Sequence, residues 1–219
     1  MPIDFAALRT KLYAAVLSDV LDGMGRPDQA MRPFVRPLDD DLPLFGRART
    51  GLYMNTYAVA PGENPYEVEI ALVDDLGPDD VAVLACDGPT HRIAPWGELL
   101  STAARHRGAV GCITDGLVRD VRAIRAMRFP VFHGGIGPLD SRGRGKMMAM
   151  DVPCACGGVL VHPGDLVFGD CDGVVVIPRA IAGEVVEAAL AKIDGEDRTR
   201  RELERGLLLR DVYEKYGVL

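Results

Sequence analysis

Glu98 and the Arg119-Asp120 pair are the residues whose types and spacing could do chemistry. They supply two carboxylates and one guanidinium, with no cysteine or histidine partner. An oxygen-only set favours a hard cation such as Mg²⁺ or Mn²⁺, which keeps several waters and needs only one or two protein carboxylates. A 2-oxo acid could complete the shell through its carboxylate and keto oxygens. Polarisation of the keto group would then stabilise an enolate, whose oxygen Arg119 would meet.

A helix that begins at Gly97 adds a site for an anion. Its first N–H groups, including those of Leu99 and Leu100, have no intrahelical acceptor and lie at the positive end of the helix dipole. Glu98 also has a simpler explanation, because acidic residues are favoured in a first turn whatever their function. Arg119-Asp120 follows an apolar strand, where ligands collect in α/β sheets. That position distinguishes it from the similar Arg210-Asp211 pair.

Apolar periodicity and capping residues predict the elements that position these residues. A first helix is expected from its cap at Asp4 through Val16 to the glycines at 23 and 25. Strands and helices then alternate, which indicates an α/β fold with a partly parallel sheet. The predicted elements are strand 46–59, helix 64–77, strand 81–86, helix 97–106, strand 110–114, helix 121–127 and strand 130–133.

The second half of the chain is predicted to be rich in short strands, at 146–152, 158–161, 166–168 and 174–177. A long amphipathic helix is expected from Arg179 towards Arg205, interrupted at Gly183 and Gly195. No charged, serine-rich or low-complexity linker divides the chain, so we expect one domain over residues 1–219.

Composition limits the partners of the protein. The formal net charge is -7, and no run of Lys and Arg forms a basic patch, so nucleic acid binding is not expected. No segment reaches the roughly 18 uninterrupted apolar residues of a membrane span, and the N-terminus lacks a leader pattern. We therefore expect a cytoplasmic protein without a membrane partner.

Other candidate positions allow two interpretations. Cys154 and Cys156 could bind a metal or react with oxidants, but neighbouring thiols on one face of a strand are favoured. His133 ends a strand and could line a pocket or be an ordinary buried histidine. Asp87-Gly88 and Asp115-Gly116 each follow a strand, where they could border a site or form turns.

Several short motifs, in order along most of the chain, resemble the family named for the regulator of ribonuclease activity A. This family also contains the class II 4-hydroxy-4-methyl-2-oxoglutarate aldolases. In its enzymes an acidic residue precedes Arg-Asp by twenty intervening positions, and residues 99–118 are those twenty here. The other motifs are Leu17-Ser18-Asp19, Gly46 to Thr50, Trp96 to Leu100, Phe129 to Phe132, Asp140 to Arg144, Gly157 to Val159, Pro163 to Asp165 and Asp170 to Val174.

The resemblance implies a role for each site residue. Asp120 would bind the metal directly, Glu98 would hold a metal-bound water, and Arg119 would bind a substrate oxygen. Leu99 and Leu100 would offer backbone amides to the substrate carboxylate. Glu196, from the C-terminal helix of a neighbouring subunit, would also reach the metal through water. The family fold is a swivelling β/β/α sandwich, assembled as a homotrimer or as a hexamer.

We therefore expect a Mg²⁺- or Mn²⁺-dependent lyase that cleaves 4-hydroxy-2-oxo acids to pyruvate and also decarboxylates oxaloacetate. A metal-bound water would carry the proton, because no histidine is indicated as the base. Arg142, Arg144 and Arg49 could bind a distal substrate carboxylate or be solvated surface residues. The alternative is a non-catalytic regulator that binds a ribonuclease or helicase. The regulator branch lacks the complete acidic and Arg-Asp set, which favours the enzyme.

Overall fold

The structure, a computed structural model, describes residues 4–217. The first three and last two residues of the predicted domain lie outside the described residues. The helices are α1 (Phe5–Arg9), α2 (Ala14–Gly23), α3 (Glu67–Asp74), α4 (Glu98–Arg107), α5 (Val121–Met127), α6 (Ala182–Glu204) and α7 (Leu209–Tyr216), with a 3-10 turn at Arg179–Ile181 before α6. None of the helices in the described part of the chain is both long and apolar enough to cross a membrane.

Twelve strands are found between residues 36 and 177. They are β1 (Arg36–Pro37), β2 (Leu44–Asn55), β3 (Asp80–Ala85), β4 (Gly111–Thr114), β5 (Leu117–Val118), β6 (Val131–His133), β7 (Gly135–Ile136), β8 (Gly145–Met150), β9 (Cys154–Cys156), β10 (Val159–Val161), β11 (Leu166–Asp170) and β12 (Gly173–Ile177). Eight of them form one sheet in the order β1-β6-β4-β3-β2-β11-β12, with β8 also paired to β2. Strands β2, β3, β4 and β6 run parallel to one another, and the others are antiparallel to their neighbours.

Alternate side chains of the central strands pack on opposite faces of this sheet. On β3, Ala82 and Leu84 join the core beneath α3, α4 and α5, whereas Val81 and Val83 face the β9–β10 hairpin. A parallel sheet covered on both faces explains why these strands are nearly all apolar. The predicted α/β fold, with a partly parallel sheet and a long C-terminal helix, is confirmed.

The N-terminal and C-terminal helices form a third core region, and two predictions fail there. The expected first helix is two helices, because Tyr13 is extended and Asp170 accepts a hydrogen bond from the Ala14 N–H at 2.8 Å, which gives α2 its own N-terminus. Helix α6 continues through Gly183 and Gly195. Each glycine costs about 1 kcal/mol, which the packing of residues such as Val185 against α2 and β12 outweighs.

Asp115 joins three separate segments behind the site. The residue is 2% exposed, and its side chain accepts hydrogen bonds from the N–H groups of Cys86 (2.6 Å), Gly88 (3.0 Å) and Gly157 (3.3 Å). Burial raises the pKa of Asp115, although these three hydrogen bonds oppose the shift. Of the two interpretations of Asp115-Gly116, the structure supports a scaffold residue that holds the loops after β3 and β4.

Asp115→Ala should lower the free energy of unfolding by about 3 kcal/mol, because three buried N–H groups lose their acceptor. Chemical denaturation would measure the change, with the exposed Asp28→Ala as the matched control. A loss below about 1 kcal/mol would show that water replaces the carboxylate and that Asp115 does not hold the loops.

Candidate active site

Backbone pairing brings the predicted site residues together. Trp96 and Val118 form an isolated parallel bridge, and the N–H of Arg119 donates to the carbonyl of Trp96 at 3.1 Å. The chain therefore runs side by side through residues 96–98 and 118–120. This pairing places the start of α4 directly beside Arg119-Asp120, as the sequence predicted.

The N-terminus of α4 is open towards this pair. Gly97 is the N-cap and makes no side-chain cap, so the N–H groups of Leu99 and Leu100 have no acceptor among the described residues. The N–H of Glu98 donates to Oδ2 of Asp120 at 3.3 Å. The side chain of Glu98 accepts a hydrogen bond from the Thr102 hydroxyl one turn along the helix, at 2.8 Å.

Gly97 is required by close packing rather than by its backbone angles. Its φ is -152°, which any residue can adopt. A Cβ atom at this position would lie 2.7 Å from Oδ2 of Asp120 and 3.1 Å from Cγ of Arg119. Any other residue would therefore push the carboxylate and the guanidinium away from the helix.

Asp120 has an unusual backbone conformation that directs its carboxylate. Its φ of 57° is in the left-handed region, which Asp tolerates better than most residues. Asp120 is the N-cap of α5, yet its side chain makes no hydrogen bond to that helix. The carboxylate instead faces the first turn of α4 and is half exposed, so it is accessible to a cation.

Arg119 is held between two carboxylates. Its Nε lies 3.7 Å from Oδ2 of Asp120, and its Nη1 lies 3.5 Å from Oδ1 of Asp140. These are ion-pair distances that exceed those of hydrogen bonds. The side-chain N–H groups of Arg119 make no hydrogen bond within residues 4–217 and can therefore donate to a substrate oxygen.

Asp140 is in turn fixed by a tyrosine. The Tyr66 hydroxyl donates to Oδ2 of Asp140 at 2.6 Å. Burial raises the pKa of Asp140, but the hydrogen bond from Tyr66 and the charge of Arg119 outweigh burial and leave this pKa below its ordinary value. Burial and the bond to Asp140 raise the pKa of Tyr66 to about 12. At neutral pH the wall of the site therefore carries an ionised Asp140 and a neutral Tyr66.

These groups surround a cavity of about 320 Å³. Its floor is formed by Trp96, whose Nε1–H donates to the Ser101 hydroxyl at 2.8 Å and whose ring stacks on Phe129. The Ser101 hydroxyl donates to the carbonyl of Gly97 at 2.9 Å, which fixes the first turn of α4. The cavity is lined by Tyr66, Glu69, Ile70, Ala94, Pro95, Trp96, Gly97, Leu99, Leu100, Arg119, Asp120, Asp140 and Ser141.

The donor set fits a hard divalent cation. Within residues 4–217 no three His, Cys, Asp or Glu side chains gather at one point, so a cage made only of side chains is not formed. Mg²⁺ and Mn²⁺ do not need one, since they bind through one or two carboxylates and keep several waters. Asp120 lines the cavity and supplies an oxygen donor of this kind, and the space left by the missing Cβ of Gly97 keeps it beside the helix. Glu98 is not among the residues that line the cavity, because its carboxylate bonds to Thr102 one turn along α4, so its predicted role at the metal stays a prediction.

Comparison with known proteins identifies the family. A family model described as RraA-like, Aldolase/RraA, matches residues 14–176, well over half of the chain. This chain belongs to the RraA-like family. The resemblance stated from the sequence motifs is thereby confirmed.

Individual relatives of this RraA-like chain support the assignment. It is 33% identical over 214 residues to a protein of Halalkalibacterium halodurans named "Putative 4-hydroxy-4-methyl-2-oxoglutarate aldolase", and the match covers 97% of this chain and 95% of that protein. The crystal structure of Streptomyces coelicolor RraAS2, described as an unusual member of the RNase ES inhibitor RraA protein family, superposes with a TM-score of 0.82 at 28% identity. That match covers 92% of this chain and all of RraAS2.

A third relative has the same fold. A crystal structure of an uncharacterized protein from Pseudomonas syringae pv. tomato superposes with a TM-score of 0.82 at 26% identity. The match covers 97% of this chain and 98% of that one. The fold of the RraA-like chain is therefore shared over nearly its whole length.

Glu196 does not line the cavity of its own RraA-like chain. It lies on α6, where it accepts a hydrogen bond from the Tyr13 hydroxyl and lies 3.5 Å from Nζ of Lys192. A contribution of Glu196 to the site of a neighbouring subunit stays a prediction.

The three arginines proposed for a distal carboxylate have different surroundings. Arg49 makes ion pairs with Asp75 and Asp151, each at 2.7 Å, and does not line the cavity, so it is a structural residue. Arg144 is exposed and donates to the carbonyl of Asp140 at 3.3 Å. Arg142 is exposed and has no ion-pair partner in the described part of the chain.

The remaining candidates lie outside the cavity. His133 is buried, its Nδ1 has no partner among residues 4–217, and burial lowers its pKa to about 4. It is thus an uncharged core residue. Cys154 and Cys156 are both buried on one face of β9, as favoured, and burial raises the pKa of each thiol. Sequence reasoning missed Tyr66 and Glu69 and named Asp140 only as part of a family motif, because their contacts are made across the fold.

Gly97→Ala should weaken Mn²⁺ binding by roughly 10- to 100-fold, the range seen when the support of a metal ligand is disturbed. The added methyl group would displace the Asp120 carboxylate while the backbone stays in an allowed conformation. Titration calorimetry would measure the affinity. Gly183→Ala is the matched control, since a Cβ there meets nothing within 4 Å. Unchanged affinity in Gly97→Ala would contradict the role given to Asp120.

Proposed function

We propose that this chain is a divalent-metal-dependent lyase that cleaves 4-hydroxy-4-methyl-2-oxoglutarate-type 2-oxo acids to pyruvate by retro-aldol chemistry. The same pyruvate enolate would form by decarboxylation of oxaloacetate. One observation carries the proposal: Arg119 and Asp120 meet the open N-terminus of α4 in a single cavity. The 33% identity to the Halalkalibacterium protein supports an aldolase, and the metal dependence rests on the donor set.

The start of α4 orients the substrate. The N–H groups of Leu99 and Leu100 lie at the positive end of the helix dipole and bind the carboxylate of the 2-oxo acid. Leu99 is 77% exposed, so a substrate reaches these amides without any rearrangement of the core. The bound carboxylate then directs the neighbouring keto oxygen towards Arg119.

Asp120 and Glu98 would hold Mg²⁺ or Mn²⁺, which when bound supplies Lewis-acid polarisation of the keto group. Arg119 adds a charge-assisted hydrogen bond to the same oxygen. This bond strengthens as the keto group becomes an enolate, so it stabilises the transition state more than the substrate. Because Asp120 and Asp140 hold the guanidinium from two sides, little reorganisation is needed during the reaction.

Pyruvate release from 4-hydroxy-4-methyl-2-oxoglutarate, coupled to lactate dehydrogenase, tests this function. Activity should require added Mg²⁺ or Mn²⁺ and should be abolished by a chelator. Asp120→Asn should lower the rate by at least roughly 10²-fold, because it removes the anionic oxygen donor for the metal. Asn tolerates the left-handed backbone of this position, so the fold should be kept.

Asp172→Asn, an exposed carboxylate outside the cavity, is the matched control and should retain full activity. If the unmodified protein releases no pyruvate from this substrate or from oxaloacetate with either metal, the lyase assignment is wrong. That result would favour the alternative, a non-catalytic regulator that binds a ribonuclease or helicase.

A further inference from the structure

Glu69 is a buried carboxyl group in the cavity wall that the reaction described above does not use. It lies on α3, is 8% exposed and lines the cavity together with Arg119. Its Oε2 accepts a hydrogen bond from the buried Tyr53 hydroxyl of β2. Within residues 4–217, no lysine, arginine or histidine lies within ion-pair distance of Glu69.

The second carboxyl oxygen of Glu69 is available to a ligand. Oε1 has no hydrogen-bond donor in the described part of the chain, and it is not among the fully enclosed polar atoms that lack a partner. An unpaired oxygen that is not enclosed, on a residue that lines the cavity, can reach a bound molecule. The Tyr53 hydroxyl holds the other oxygen of the same carboxyl group.

The groups around Glu69 shift its pKa in both directions. Burial raises its pKa above the ordinary value, the Tyr53 hydrogen bond lowers it, the charge of Asp140 raises it and Arg119 lowers it. Burial raises the pKa values of the Tyr66 hydroxyl and the Cys86 thiol, and the charge of Glu69 raises them further, so both groups are neutral at physiological pH. A carboxyl group with a raised pKa in a substrate cavity is typical of general acids and bases.

We propose that Glu69 is the acid and base of the retro-aldol reaction: it takes the proton from the C4 hydroxyl of the substrate and returns it to C3 of the pyruvate enolate. This inference rests on the proposed lyase function. It assigns the proton transfer to a side chain, whereas the sequence indicated only a metal-bound water. Tyr53 is then a positioning residue, since it acts through Glu69.

The proposed steps balance. The Glu69 carboxylate accepts the C4 hydroxyl proton, the C4–O bond becomes a carbonyl, and the electron pair of the C3–C4 bond passes into the enolate of pyruvate. The carbonyl product leaves. Glu69, now protonated, gives its proton to C3 and becomes a carboxylate again, so that pyruvate forms without an external acid or oxidant.

A comparison of aldol cleavage with oxaloacetate decarboxylation distinguishes the proposed catalytic role of Glu69 from a purely structural one. Loss of CO₂ also yields the pyruvate enolate, but no hydroxyl proton has to be removed. Arg119 and Asp120 are needed by both reactions, whereas the base is needed only by the aldol cleavage. A defect confined to cleavage therefore identifies the base.

Glu69→Gln should lower the rate of aldol cleavage by roughly 10²- to 10⁴-fold, the usual contribution of a general base. Release of CO₂ from oxaloacetate should change by less than about threefold, because this step needs no base. Exchange of the pyruvate methyl protons in D₂O, followed by NMR with Mg²⁺, should be lost along with cleavage. Glu67→Gln, an exposed position on the same helix, is the matched control and should leave all three rates unchanged.

A second variant tests the inference through pH. The low-pH limb of the cleavage rate reports protonation of Glu69, because the base must begin as a carboxylate. Tyr53→Phe removes a hydrogen bond that favours the charged form, so the pKa of Glu69 should rise and this limb should move to higher pH. Oxaloacetate decarboxylation should show no such movement. If Tyr53→Phe leaves the low-pH limb of the cleavage rate at the same pH, the inference is overturned. This test holds even if Glu69→Gln fails to fold.

The outcomes separate the two proposals. Equal losses of cleavage and decarboxylation in folded Glu69→Gln would show a structural role and overturn the inference, while the lyase function stands. Unchanged cleavage would overturn it as well. If the unmodified protein catalyses neither cleavage nor decarboxylation, the lyase function fails, and the role of Glu69 fails with it.

Discussion

A short stretch of backbone pairing is the interaction on which the site depends. The bond from the Arg119 N–H to the Trp96 carbonyl joins the segment that leads into α4 to the segment that leads into α5. Neither segment alone forms a site. One has the open amides of a helix N-terminus, and the other has the guanidinium and carboxylate. Their alignment, together with the absence of a side chain at Gly97, brings these groups into one cavity.

The surrounding structure makes this alignment rigid. Trp96 is buried beneath the cavity, and its hydrogen bond to Ser101 links the floor to the first turn of α4. Asp115 holds the loops behind it through three backbone N–H groups. Strand β2, which carries Tyr53, pairs with three neighbouring strands, so the opposite wall is equally well supported. Groups held in this way are preorganised for reaction.

The sequence predicted correctly those helices whose ends are set by residues nearby in the chain. Helix α5 occupies the predicted residues 121–127. Helix α4 lies between the glycines at 97 and 108, and Gly108 ends it in the left-handed conformation that glycine favours. The break between α1 and α2 was not predicted, since it depends on Asp170, a residue far away in the chain. The continuity of α6 likewise depends on tertiary packing.

The residues of the site likewise differ in whether the sequence alone could indicate them. Glu98, Arg119 and Asp120 stand out in the sequence as a spaced acidic and Arg-Asp set, and the structure brings Arg119 and Asp120 to the start of α4. Glu69 does not stand out, because an acid near the start of a helix has an ordinary explanation in the helix dipole. Only the fold shows that it faces Tyr53 and the cavity instead of solvent.

The acidic wall of the cavity has a consequence for the order of events in catalysis. Glu69, Asp120 and Asp140 surround one arginine, so an empty cavity attracts cations and repels the dianions that would be its substrates. On the proposed function, a bound divalent ion would cancel this negative charge and so remove the repulsion. The protein would then bind the divalent ion first and the organic acid second. Excess acid would not compete with the ion for the empty protein.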